Sequence, residues 1–247
     1  MWRVNNLRFM LWFSVIIPTL REEARIGALL EALKAQDYEG EIEIIVVDGQ
    51  SEDETKTIVR AFPDVVLLTS QRGTSRQRNI GAKAARGDLL VFMDADNLPA
   101  PDFLSRVARS YNRLPFAVAC PWFVARDSFL ISAIYFGFNV LFYFGQGWLR
   151  TGSGVCLITP KQVFDGAGGF DETLHLGEDI HFIRRASRHG LHRHLLVPLR
   201  TSGRRFKQKG VWKLMWFYAR ITPWILCGRF AQLQNRPYEP APYRAND

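Results

Sequence analysis

Asp94 and Asp96 stand two residues apart, directly after the apolar run Leu89–Met93. Two carboxylates in an extended loop just past a strand can hold a hard divalent cation, Mg2+ or Mn2+, together with the oxygens of a bound diphosphate. Pro18, Thr19 and Glu22 follow another apolar run, Phe13–Ile17, and Asp48, Gly49, Gln50 and Ser51 follow a third, Ile42–Val47. An Asp at such a strand end can accept a hydrogen bond from a base N–H or a ribose hydroxyl; taken alone, Asp48 also fits an Asx turn or a helix cap. Farther along, Gly168-Gly169-Phe170-Asp171-Glu172 precedes Gly177-Glu178-Asp179. The glycines suggest a tight turn or close approach to a ligand. Glu178 and Asp179 would open a helix whose N-terminus favours their charge, and on their own they read as ordinary helix-start acids. Arg76, Arg204 and Arg205 are candidates for phosphate oxygens, because a guanidinium fork matches them.

The elements that carry these residues alternate. Phe13–Ile17, Ile42–Val47, Val65–Thr69 and Asp88–Met93 read as strands, the second nearly continuous in β-branched residues, as a strand buried on both faces should be. Glu22–Ala35, Asp53–Phe62, Ser75–Ala85 and Pro101–Asn112 carry helical spacing. Ser51 with Glu54 suggests a capping box, and Gly87 a C-cap. This order predicts an α/β fold with a mostly parallel sheet and helices on both faces. Ligands of such sheets bind beyond the carboxyl ends of the strands, where the three acidic clusters would converge. The second half is less regular, with a strand near Val155–Ile158, a helix at Asp179–His189, a strand at His194–Val197 and an amphipathic helix within Val211–Phe230.

Together these motifs identify the chain as resembling the family 2 glycosyltransferases, inverting enzymes of the GT-A fold. The resemblance rests on Val15-Ile16-Ile17-Pro18-Thr19 with Glu22-Glu23, on Ile45-Val46-Val47-Asp48-Gly49 with Ser51 and Asp53-Glu54-Thr55, and on Arg76 with Asn79 and Gly81. It continues through Ala85-Arg86-Gly87-Asp88, Phe92-Met93-Asp94-Ala95-Asp96, the Gly168–Glu172 segment and Glu178-Asp179, covering roughly residues 13 to 190. It implies a nucleotide-sugar donor, with Pro18, Thr19, Glu22 and Asp48 lining the nucleoside pocket. Asp94 would face ribose or the sugar diphosphate, Asp96 would bind Mg2+ or Mn2+, and Asp179 would take the proton of the acceptor hydroxyl. Glu178, Arg204 and Arg205 are possible diphosphate or acceptor contacts. The chain departs from the family at Arg21, where Asn is common, and at Asn97-Leu98, where a further polar metal contact is missing. The QxxRW signature of processive synthases is absent, which favours single additions.

The chain has 247 residues, 47% of them hydrophobic, which excludes a disordered protein. Cys120, Cys156 and Cys227 lie far apart and form no CxxC pair, which excludes a disulfide scaffold and a thiolate zinc site and weakly favours a reducing compartment. The net charge of +8 is concentrated late in the chain: from Ile180 to Tyr238 there are thirteen Lys or Arg and no acid, interleaved with aromatic residues. Such a segment suits an anionic membrane surface or phosphate-bearing ligands; no nucleic-acid motif accompanies it. Ser128–Leu149 carries no charge over a length that could span a membrane, lie in its interface or form a buried helix. Phe9–Ile17 reads as a first strand and not as a signal peptide. The expected organisation is a glycosyltransferase domain over 1–198, with donor half 13–97 and acceptor half 98–198, and a membrane-proximal basic, aromatic helix and tail over 199–247. The expected setting is the cytoplasmic face of a membrane, near a lipid or glycan acceptor. The alternative from another class is a catalytically silent nucleotide- or polyanion-binding scaffold on the same fold.

Overall fold

The structure is a computed structural model that describes residues 10–125 and 128–234. The tail Arg236–Asp247, and Phe9 and Arg126 at segment edges, lie outside the described residues.

The first half builds as its apolar runs require. Strands β1 (Phe13–Thr19), β2 (Ile42–Asp48), β3 (Val65–Thr69) and β4 (Leu89–Met93) are all parallel, in the order β3-β2-β1-β4. β4 is buried at every position, and β1 and β2 at nearly every one, so their Ile, Val and Phe side chains form the main core. Helices α1 (Ile26–Lys34), α2 (Thr55–Arg60) and α3 (Thr74–Ala84) make the crossovers. α1 buries Ile26, Leu29, Leu30 and Leu33, one helical stripe.

Beyond β4 the sheet changes direction. After the two-residue β5 (Leu98–Pro99) and α4 (Phe103–Arg113) come β6 (Val118–Val124), α5 (Phe129–Gly145) and β7 (Cys156–Pro160). α6 (Lys161–Gly166), α7 (Glu178–Ala186) and β8 (His192–Arg200) follow, and the chain ends in α8 (Arg204–Lys209), α9 (Val211–Leu226) and a 3-10 turn. β7 pairs antiparallel with β4 and β6, while β8 runs parallel to β6, completing one eight-stranded sheet, β3-β2-β1-β4-β7-β6-β8-β5. The sheet is therefore mixed, with its parallel block formed by β3, β2, β1 and β4.

Several local expectations are corrected. Ser51 does not cap α2: its hydroxyl accepts the Arg21 N–H at 2.9 Å, and the α2 cap position is Glu54, which makes no side-chain cap bond. Gly87 is not a helix C-cap. It lies past the end of α3, its N–H donates to Ser14 Oγ at 2.8 Å, and a Cβ there would meet that oxygen at 2.6 Å. In α9, whose amphipathic pattern was expected, the buried seam is Leu214, Ile221 and Ile225, and Trp216 is 67% exposed. Of the three options for Ser128–Leu149, the span fails: among the described residues no helix is long and apolar enough to cross a membrane. Ser128 Oγ caps α5 by accepting the Ile131 N–H. Asn139, 1% exposed, turns inward from α5, its amide donating to the Phe123 carbonyl at 2.7 Å and its carbonyl accepting the Phe123 N–H at 3.0 Å. That pair satisfies the Phe123 backbone on β6, beyond Ala119, the residue at which β6 is in register with β7.

Candidate active site

The crevice lies at the carboxyl ends of β1, β2 and β4. Its first wall is the β1–β2 margin. Thr19 Oγ1 donates to Asp48 Oδ2 at 3.3 Å, and Asp48 Oδ1 accepts the Ser51 N–H at 2.9 Å. Asp48 is fully buried. Gln77 Nε2 donates to the carbonyls of both Thr19 and Val47 at 2.7 Å, tying the two strand ends together. Pro18 stands one residue before Thr19 in the same strand.

The floor is the Asp94–Asp96 loop. The Asp94 N–H donates to the Val155 carbonyl at 3.1 Å, and the Asn97 side chain donates to that same carbonyl at 2.8 Å. Burial deep in the crevice pushes Asp94 up to about 6, against the lowering pull of Arg78 and with the Asp96 charge adding to the rise. This holds although 37% of its side-chain surface stays open to the crevice. Burial raises Asp96 as well, against Arg204 and Arg25. Two adjacent carboxylates whose charges are under-compensated by their surroundings fit a hard cation. Among the described residues no group of three or more ligating side chains occurs. A divalent ion here would complete its shell with diphosphate oxygens and water, as Mg2+ and Mn2+ do.

The far wall is α7, which Gly177 opens in a left-handed conformation, φ 79°. Asp179 Oδ1 accepts the Ile180 N–H at 2.8 Å. A Cβ on Gly154 would sit 2.8 Å from Asp179 Oδ2, so this acid needs the glycine opposite it. Glu178 is raised to about 7, first by burial and then by the Asp179 charge.

The residue that joins floor and far wall is Arg78, which the sequence reading missed. Its side chain is 2% exposed; Nη2 donates to Asp94 Oδ1 at 3.0 Å and to the Gly154 carbonyl at 2.7 Å. Nη1 lies 3.7 Å from Glu178, and the guanidinium sits 5.2 Å from the centroid of the Phe170 ring. Arg76 is elsewhere: it pairs with Glu172 at 2.9 Å and with Gln71. The signal lay in the helix face. α3 buries Ser75, Gln77, Arg78, Gly81 and Ala82, and Arg76 falls outside that stripe.

Arg204 arrives from 182 residues away. Its guanidinium lies 3.1 Å from Glu22 and 4.0 Å from Asp96, and Arg205 acts electrostatically on both Asp94 and Asp96. Burial raises Glu22, opposed by Arg204. The structure thus gathers Thr19, Glu22, Asp48, Asp94, Asp96, Arg204 and Arg205 at the β1, β2 and β4 ends of the crevice and Glu178 and Asp179 opposite, with Arg76 held instead by Glu172 and Gln71.

Residues 14–134 match the family model described as Glycosyl transferase family 2. The chain belongs to glycosyltransferase family 2. A curated relative in this family is the poly(ribitol-phosphate) beta-N-acetylglucosaminyltransferase TarS of Staphylococcus aureus, 37% identical over 95 residues, 36% of this chain and 17% of the relative. Another, from Methanococcus voltae, is the dolichyl N-acetyl-alpha-D-glucosaminyl phosphate 3-beta-D-2,3-diacetamido-2,3-dideoxy-beta-D-glucuronosyltransferase, 33% identical over 111 residues, 42% of this chain and 35% of the relative. These matches span well under half of each relative's own length. Among solved structures, the mannosyltransferase PcManGT of Pyrobaculum calidifontis, in complex with GDP-Man and Mn2+, superposes with a TM-score of 0.67 at 23% identity, over 94% of this chain and 66% of that one. The family 2 domain has the GT-A fold expected of it.

Proposed function

We propose that this chain transfers a sugar from a nucleotide-sugar donor to an acceptor hydroxyl or phosphate, with inversion and with a divalent cation, at a membrane surface. The observation that carries the reading is Arg78, which locks the Asp94–Asp96 floor to the wall bearing Glu178 and Asp179. In this reading Thr19 and Asp48 hold the nucleoside and Glu22 and Arg204 border the diphosphate. Asp179, across the crevice, takes the acceptor proton as its oxygen attacks the anomeric carbon on the face opposite the leaving nucleotide. Bound Mg2+ or Mn2+ would be held by Asp94 and Asp96 and would neutralise the departing diphosphate.

The membrane part draws on α5 and α9. Phe129 (91% exposed), Phe136, Leu141 and Phe144 form an uncharged outer stripe on α5, with the exposed Trp148 just beyond its end, while Trp212 and Trp216 stand out from α9 beside the exposed Lys213 and Arg220. Aromatic residues interleaved with cations suit an anionic lipid interface, and a lipid-linked or lipophilic acceptor would be met there. The test is thermal stabilisation by a panel of nucleoside diphosphates with and without Mn2+, followed by donor turnover. A Mn2+-dependent shift with one nucleotide, lost in Asp96→Asn, is expected. Turnover should fall about 10²- to 10⁴-fold in Asp179→Asn with that shift retained. No shift with any nucleotide, in folded protein, would favour a silent polyanion-binding scaffold.

A further inference from the structure

A second cavity, of about 590 Å³, opens between α4 and β8. Its lining includes Arg106, Arg109, Arg113, Arg193 and Tyr143, and no Asp or Glu. Two of the arginines are structural. Arg193 donates to the Ser110 and Leu114 carbonyls at the end of α4 at 3.4 and 3.3 Å, and Arg106 donates to the Leu196 carbonyl at 3.0 Å and pairs with Asp102. Arg109 and Arg113 are exposed, and among the described residues neither has a hydrogen-bond or ion-pair partner. Arg106, Arg109 and Arg113 recur at i, i+3 and i+7, so three guanidiniums line about 10 Å of one helix face at the usual rise. His194, also in the wall, is held near 4 by burial and brings no charge.

The groove is remote from the catalytic crevice. Its β8 wall, Arg193–Val197, lies toward the start of a strand whose other end, Arg200, borders the Asp96–Leu98 loop. Its rim is apolar. Tyr143 comes from the last turn of α5, which Gln146 fixes to β8 through His192 Nδ1 at 3.2 Å and the His194 N–H at 2.7 Å. The exposed Phe144 belongs to the same turn of α5, and the exposed Trp148 to the turn that follows it.

We infer that the α4–β8 groove is a phosphate-binding site that seats the headgroup phosphate of an anionic lipid, with Phe144 and Trp148 meeting the acyl region beside it. Guanidinium forks match phosphate oxygens and stay charged at any working pH, and an aromatic rim distinguishes a lipid from a soluble anion. The inference rests on the membrane-surface part of the reading above and gives it a specific seat.

The test measures binding to vesicles of phosphatidylcholine mixed with phosphatidic acid, against phosphatidylcholine alone. The groove variant Arg109→Gln/Arg113→Gln is compared with the control Arg60→Gln/Lys83→Gln, which removes two charges from α2 and α3. The groove variant is expected to bind the acidic vesicles about thirty-fold more weakly, from two cations at the usual value for a charge near an anionic surface, and the control to stay near wild type. Equal losses in the two variants would overturn the site. Inorganic pyrophosphate, titrated without metal, separates the sources: if the groove variant loses pyrophosphate but keeps the vesicles, the lipid assignment falls. The nucleotide and Mn2+ thermal shift, read on the same variants, should not move. A failure here is therefore distinguishable from a failure of the transferase reading.

Discussion

Replacing Arg78 by Met removes the cation that holds Asp94, Glu178 and the Gly154 carbonyl in one place. Breaking a buried ion pair from one side costs about 3–5 kcal/mol. Asp94 keeps 37% of its side chain open to water, which screens part of that loss, whereas Glu178 keeps 20%. A cost of about 3 kcal/mol at pH 8 is therefore expected, a fall of roughly 6–12 °C in Tm for a chain of this size. The pH dependence has a definite sign. In the folded protein Glu178 sits at about 7 and Asp94 at about 6, both above their unfolded values, so the fold favours their protonated forms. Arg78 pulls both down, and its loss raises them further. The added penalty exists only while the acids are ionised, so it fades as pH falls through those values. At pH 5 about 1 kcal/mol should remain, from the lost hydrogen bond to Gly154. Urea denaturation of wild type, Arg78→Met, Glu178→Gln and the double variant at pH 8 and pH 5 reads this directly. A coupling above about 1 kcal/mol between the two sites is expected at pH 8. An equal loss at both pH values, or simple additivity, would refute the assignment of Arg78 as the counter-ion of the far wall.

Three further outcomes follow from the same contacts. Gly154→Ala should lower kcat about ten-fold or more and also cost about 1–3 kcal/mol of stability, because the new Cβ would sit 2.8 Å from Asp179 Oδ2 and 2.9 Å from its Cβ, which is fixed to the α7 backbone; steady-state kinetics beside a melting curve checks it. Asn139→Leu leaves the buried N–H and carbonyl of Phe123 without their partner and should cost about 2–5 kcal/mol in denaturant melts. His194, held at about 4 by burial, is less easily protonated in the folded protein than in the unfolded chain, so stability falls as pH drops below the unfolded value. His194→Gln lacks this term, and its stability relative to wild type should improve by about 2 kcal/mol between pH 7 and pH 5.

The parallel half of the fold was legible because β1, β2 and β4 carry apolar runs broken only by Ser14 and Glu43, each followed within a few residues by an acid. β6 was not: Pro121 and Trp122 interrupt its pattern where the register slips, and an α5 side chain supplies the missing hydrogen bonds. β5 has two residues, too few to show any period. The donor-side acids could be read one strand end at a time, whereas Arg204 meets Glu22 only through tertiary packing. Arg76 and Arg78 differ by two positions, about 200° around a helix at the usual turn, and composition alone does not say which one faces inward.

β6 and β7 are neighbours in the sheet, and all of α5 is spun out between the end of one and the start of the other. The chain thus leaves the sheet at Val124 and rejoins it at Cys156, on neighbouring strands whose registered pair is Ala119 and Ile158. The donor acids hang from β1, β2 and β4, outside this excursion. Its return leg is nevertheless tied to them, because the Gly154 carbonyl accepts from Arg78 and the Val155 carbonyl from Asp94 and Asn97. The excursion can therefore vary in its helical part only as far as Gly154 and Val155 come back to the same place, which makes its return leg a splint for the floor of the crevice.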